Sequence, residues 1–401
     1  MRAGTQLHVV NRALLLIALV LLSSCSSGEV GGSGSWSMES IDPDSIRVIE
    51  NGSVPVVHQS PLPKLVLEDI AFIGGADEYE ESIVPSAYPN RTSFATGPDG
   101  QIGIADVLTP EISVYDSTGR FLWKAGRRGE GPGEFRGAHQ IQYFEGIGWM
   151  VLAVGKYITF SRNGFLIDSR SIMNLPYRFG AFRFHFLPAG LIWYRHTTGA
   201  FGGIGEWRLL LGNLETLEAA VVDSGISAER VDQGGQHFLI MYPYSIAFDP
   251  AGRTWFVTSR KYEIDVYEPG SSETWRVRRS FGPRKYTRAE RREAALDEVG
   301  QIGSDPDGIP ILRKLPEHEP PIQGLRWISS DELWVFTTNS VDTLNVQVDV
   351  FDSAGVYLRA FAADPELRHA LISETDIWRL DETPDGFPQL IRSLYHIGPD
   401  N

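Results

Sequence analysis

Residues 126 to 135 read GRRGEGPGEF, and glycines set among arginines are what a phosphate-holding loop would need. Backbone N–H groups can gather round an anion there, provided the turn leads from a strand into a helix N-terminus. No helical pattern follows Phe135, and no Lys-Ser or Lys-Thr pair closes the run, so it reads as a turn between strands. Other chemical signatures are as sparse. HExxH, GxSxG and Walker sequences are absent, and the nine histidines are scattered. SDPDG (304–308) holds two aspartates at i, i+2 without the remaining positions of a calcium loop. Paired carboxylates such as Glu80 and Glu81 read as solvated surface.

Cys25 is the only cysteine, which excludes an internal disulfide and a Cys-based metal site. It follows Arg2, Arg12 and the apolar run ALLLIALVLL (13–22), too short to span a bilayer but right for a signal-peptide core. LSSC (22–25) resembles the lipobox of bacterial lipoproteins. That resemblance implies cleavage before Cys25, a diacylglycerol on its sulfur and acylation of the new amine, tying the chain to a membrane surface. Ser24 departs from the more usual Gly or Ala, and a plain secretory signal with an incidental cysteine is the alternative. Removing the first 24 of 401 residues leaves 377, and losing Arg2 and Arg12 takes the net charge from −15 to −17. Residues 25–60 begin with a Gly/Ser stretch, SSGEVGGSGSWSMES (26–40), too poor in apolar side chains to build a core, and read as a flexible tether.

Acidic residues outnumber basic ones by 51 to 36, with no long Lys/Arg run, which argues against a nucleic-acid partner. The 41 glycines and 24 prolines indicate many short elements joined by turns. Those elements repeat. DGQIGIADV (99–107), EGIGWMVLA (145–153), AGLIWYRHT (189–197), AGRTWFVTS (251–259), SDELWVFTT (330–338) and ETDIWRLDE (374–382) share a turn followed by a short apolar run. Their equivalent positions are Gly103, Trp149, Trp193, Trp255, Trp334 and Trp378, spaced by 46, 44, 62, 79 and 44 residues. Recurrence at one register marks the five tryptophans as packing residues rather than sugar platforms. Strand–turn–strand units such as ISVYDSTGRFL (112–122) and VDVFDSAGVYLRA (348–360) follow the copies, with Asp and Gly supplying the turns.

A period near 45 with four short strands indicates a β-propeller blade, so the expected fold class is all-β, a six-bladed β-propeller over 61–401. The last copy ends one strand short, and KLVLEDIAFIGG (64–75) reads as the N-terminal strand that completes it. Residues 283–321 depart from the period. TRAERREAALDEVGQ (287–301) favours a helix, and the proline-rich stretch after it an extended return, giving either a decorative loop or a lid or partner-binding element.

GEGPGEF after an outer strand, the blade period and the lipobox together resemble the six-bladed, NHL-like propeller lipoproteins of bacteria, over about residues 60 to 398. That resemblance implies a cell-envelope location, lipid-anchored on the periplasmic face of the outer membrane or at the cell surface. It also implies a scaffold that binds a protein or ligand, with a minority of members acting as metal-dependent lyases or lactonases. In a propeller, loops entering the innermost strands line one mouth of the channel. Side chains expected there are Arg91, His139, Arg183, Tyr244 and Gln323, a ring suited to an anionic or sugar-like ligand, or else satisfied by one another and by channel water. The expectation is a monomeric binding module for a protein, peptide or glycan, with no catalytic residues, cofactor or metal assigned. The alternative is a channel-centred enzyme holding Ca2+ or Zn2+, although the inner-strand starts carry Arg and Tyr rather than metal-binding carboxylates.

Overall fold

The computed structural model describes residues 37–41, 46–74, 92–172, 181–187, 190–197, 205–212, 219–233, 236–241, 245–258, 260–268, 274–291, 316–329 and 331–399. Three strands come first: β1 (Ser37–Ile41), β2 (Arg47–Asn51) and β3 (Lys64–Gly74). Two four-stranded sheets follow. One holds β4 (Thr92–Thr96), β5 (Ile102–Asp106), β6 (Ile112–Tyr115) and β7 (Phe121–Ala125). The other holds β8 (Ala138–Phe144), β9 (Gly148–Ala153), β10 (Lys156–Phe160) and β11 (Leu166–Ser171).

The next sheet has five strands, β12 (Ala181–Leu187), β13 (Gly190–Thr197), β14 (Gly205–Gly212), β15 (Ala219–Gln233) and β16 (Gln236–Met241). Then β17 (Ser245–Phe248), β18 (Thr254–Val257), β19 (Glu263–Tyr267) and β20 (Thr274–Arg279) pair in order, and β2 and β1 extend them to six. The final sheet is ordered β21-β22-β23-β24-β3-β27-β26-β25. Its later strands are β21 (Ile322–Trp327), β22 (Leu333–Ser340), β23 (Val346–Phe351), β24 (Tyr357–Ala363), β25 (Leu371–Ile372), β26 (Asp376–Glu382) and β27 (Pro388–Gly398).

Consecutive strands pair antiparallel because short polar turns join them. The turns starting at Asp116, Ser161, Asp249, Asp352 and Thr383 have one design: the first residue's side-chain oxygen accepts the N–H four positions on, and its carbonyl accepts the N–H of a glycine. Gly119 and Gly355, at φ 86° and 83°, occupy the left-handed region that makes glycine the fitting residue.

Second strands such as β5 and β9 are buried at every position, whereas β11 is half exposed or exposed throughout. A strand buried on both faces requires a neighbouring layer on each side, so the sheets stack face to face. Trp149, Trp255, Trp334 and Trp378 fill those interfaces and are at most 1% exposed. Where the first copy has Gly103 instead, the Trp149 ring takes the room: a Cβ on Gly103 would lie 2.5 Å from it. Trp193 pairs in register opposite Phe184 and Leu210, but its side chain lies outside the description.

The N-terminal strand meets the C-terminal one. β3 runs antiparallel to β27 from Lys64–Gly398 to Gly74–Gln389, and joins β24 only through Lys64 and Ala362. Arg379 holds Asp69 at 2.9 and 3.1 Å, and the Ser393 hydroxyl donates to Asp69 at 2.6 Å. Within the 25–60 segment, however, β2 pairs parallel to β20 with Val48 and Asn51 buried, so 37–51 contains strands rather than tether alone. In the 283–321 insertion a helical turn begins at Arg288. Thr287 and Glu290 cap it reciprocally, Glu290 N–H to Thr287 Oγ1 at 3.2 Å and Thr287 N–H to Glu290 Oε2 at 2.7 Å. Arg284 ties this start to Glu290 and Glu319, while residues 292–315 are not described. Within the described residues no helix is long and apolar enough to cross a membrane.

Candidate functional site

The first strands of neighbouring sheets touch. Ser93 in β4 accepts the Ile141 N–H of β8 at 3.2 Å, and Ser245 in β17 accepts the Leu325 N–H of β21 at 3.0 Å. These inner strands face one another, and their starts are where a ligand arriving along the axis would meet side chains.

Three inner strands share a distortion at that point. In β8 the register slips between Ala138 and Gln140, in β12 between Ala181 and Arg183, and in β21 between Ile322 and Gly324. A bulge adds one residue and re-aims its side chain, and bulges concentrate next to functional sites. The bulged residues are His139, Phe182 and Gln323. The slips lie near the strand starts but one step apart relative to Trp149, Trp334 and Trp193, and His139 and Gln323 are both exposed.

The neighbourhood of His139 is nonetheless dense enough that desolvation alone holds its imidazole below the usual histidine range. Gln323 Oε1 accepts from Arg368 Nη1 at 3.1 Å, and Arg368 Nε donates to His369 Nε2 at 3.0 Å. Arg368 passes over Gly324, where a Cβ would lie 2.8 Å from its own. A five-residue 3-10 turn, Pro365–His369, carries Arg368 and His369 to the start of β25. Sequence reading overlooked this pair, although PELRHALI precedes the sixth repeat as the other mouth loops precede theirs.

Among the remaining expected mouth residues, Arg91 and Tyr244 lie outside the described residues. Arg183 is in β12, paired with Tyr194 one step beyond the bulge at Phe182, and its side chain lies outside the described residues.

The GRRGEGPGEF loop holds an anion of its own. The Glu134 carboxylate accepts the Gly131 N–H at 2.9 Å and Arg127 Nε at 2.7 Å, which keeps its pKa low. Gly129 gives it room, since a Cβ there would lie 2.0 Å from Glu134 Oε2. Lys156 reaches across from β10 to the carbonyls of Glu130, Gly131 and Glu134 at 3.2, 3.4 and 2.7 Å. The loop is a self-satisfied turn that seats Phe135, 1% exposed, in the core.

No family model matches the chain, and no curated protein matches it. Among solved structures, a member of the duf4221 family from Bacteroides vulgatus superposes with a TM-score of 0.51 at 7% identity, over 84% of this chain and 100% of that one. A protein from Bacteroides fragilis described as exported gives 0.49 at 13% identity, over 87% and 99%. A virginiamycin B lyase from Staphylococcus aureus gives 0.40 at 9% identity, over 82% and 100%. At such identities the likeness is one of fold, and the fold is all-β and propeller-like.

Proposed function

We propose that this chain is an extracytoplasmic, lipid-anchored propeller of six blades, serving as a binding module for a protein, peptide or glycan at its channel mouth. The count of six treats the last sheet as two units, β21–β24 and β25-β26-β27-β3, which touch only at Ala362 and Lys64. β3 then completes the sixth unit and closes the ring. The anchor is the acylated Cys25, and the propeller is monomeric.

The recurrence of a bulge near the start of three inner strands supports the functional reading. Two of these bulges present His139 and Gln323 as exposed polar groups, with the Arg368 guanidinium beside Gln323. An imidazole, an amide and a guanidinium together suit carboxylate, phosphate or carbonyl groups on a ligand. Screening the protein against glycan and peptide arrays, then repeating the best hit with His139→Ala and Arg368→Ala, tests this. Each variant should weaken binding at least tenfold without altering the melting temperature. A stoichiometric Ca2+ or Zn2+ in the purified protein, lost in His139→Ala, would instead favour a channel-centred lyase or lactonase-type hydrolase. Cys25→Ser should move the protein from the membrane fraction to the soluble one.

A further inference from the structure

We propose that the mouth face docks on a lipid bilayer through a crescent of apolar turn tips: Leu108, Val154, Val341, Leu344 and Phe387. These side chains are between 40% and 76% exposed, and each lies in the turn joining the second and third strands of its unit. Apolar side chains scattered singly over a surface need no explanation, but recurrence at one turn in four units does.

Strand pairing puts those turns at the mouth. Thr92 opposes Asp106, Ala138 opposes Ala153 and Ile322 opposes Thr337, so these second strands end beside the starts of their inner strands. The four units are also consecutive. Arg368 of the sixth (β25-β26-β27-β3) donates to Gln323 of the fifth (β21–β24). Arg392 of the sixth donates to the Ser117 carbonyl of the first (β4–β7) at 2.8 Å, and Ser93 joins the first to the second (β8–β11). The matching turn of the fourth unit (β17–β20) carries Arg260 and Lys261 instead. Among the described residues, the turns of the opposite face expose only Ile147 and Phe165 as large apolar side chains, both in the second unit.

The tips suit hydrocarbon better than a protein surface. They stand on separate turns with exposed polar neighbours such as Asp342 and Asp385, and a fluid bilayer moulds to such points where a rigid partner must match each one. Their N–H groups are already paired: Leu108 to Asp106 at 2.7 Å, Leu344 to Asp342 at 2.8 Å, Val341 to the Asn345 carbonyl at 2.8 Å and Phe387 to Thr383 Oγ1 at 3.1 Å. A backbone satisfied from within enters an apolar phase at little cost. A bilayer is also within reach, because residues 26–36 between Cys25 and β1 span at most about 40 Å when fully extended. The docking therefore rests on the lipid anchor and the closed ring proposed above.

The test uses the lipidated protein in phosphatidylcholine vesicles, with a fluorophore on Leu344→Cys or on Phe165→Cys of the opposite face. Iodide in the water should quench the Leu344→Cys label roughly fivefold less than the Phe165→Cys label. Adding Leu108→Gln/Val154→Gln should restore quenching at Leu344→Cys with the melting temperature unchanged. The proposal fails if the two labels quench alike or in the reverse order. It fails if Leu344→Cys is shielded in whole cell envelopes but not in vesicles, because a protein then covers the crescent. Shielding that grows with protein concentration in the absence of vesicles would also overturn it, since a second copy would then be the occupant. Mass spectrometry of Cys25 reports the anchor separately, and if no lipid is found there the same comparison in a Cys25→Ser background with added vesicles decides the docking alone.

Discussion

His139 and Gln323 were legible as polar residues entering inner strands because the repeat places those entries ten or eleven residues ahead of Trp149 and Trp334. In β12 a bulge at Phe182 breaks the two-residue alternation on which such counting depends, and the Arg183 side chain lies outside the described residues. Desolvation without a compensating charge sets a sign that can be checked. A lowered histidine pKa means that the unfolded chain binds the proton more readily. The contribution of His139 to stability is therefore intact above the ordinary range near 6.5 and is lost as the pH falls through it. An NMR titration should place the His139 midpoint below that of a denatured control, and a midpoint at or above it would contradict its desolvation. Gly103 makes a second residue-scale prediction. Gly103→Ala adds a methyl against the Trp149 ring and should cost about 1–3 kcal/mol in chemical denaturation, an overpacking effect. Trp255→Ala should cost more, about 3–5 kcal/mol, by leaving a cavity.

Among elements, the clasp was the most legible. KLVLEDIAFIGG is an alternating strand without partners ahead of a last repeat that lacks one, and β3 indeed lies on β27. β1 and β2 are hard to read from sequence because the Gly/Ser composition of 26–40 masks β1 and sets no frame for the alternating RVIE (47–50) of β2. Asn51 holds this extension in place. Its amide donates to the Gly355 carbonyl at 2.9 Å and the Arg278 carbonyl at 3.1 Å, and its oxygen accepts the Tyr357 N–H at 3.0 Å. Asn51→Ala leaves those buried groups unpaired and should cost roughly 1–3 kcal/mol, read as a lower denaturation midpoint. The clasp is also pH-dependent. Arg379 holds the Asp69 pKa down, so its contribution is present above the ordinary carboxylate range near 4 and lost as the pH falls below it. Asp69→Asn should flatten the acid limb of the stability profile, and an unchanged limb would show that the contact does not stabilise the clasp.

For the molecule as a whole, the repeat period made the architecture readable, because each four-stranded unit must bury both faces against its neighbours and so repeats the same large side chain. Function was less readable. The repeating residues are those that pack, and the residues that differ between copies are those that could bind. The mouth reading depends on ring closure, since only a closed ring brings the inner strands round a common axis. Closure rests on the pairing of β3 with β27, in which Val66 lies directly opposite His396. Cross-linking tests it with one variant, Val66→Cys/His396→Cys in a Cys25→Ser background, oxidised and examined by non-reducing electrophoresis and mass spectrometry. An intramolecular disulfide in the folded monomer is expected there, and none in a Phe72→Cys/His396→Cys control whose partners lie out of register. Failure of the first pair to bridge, or bridging only between molecules, would contradict the closed ring.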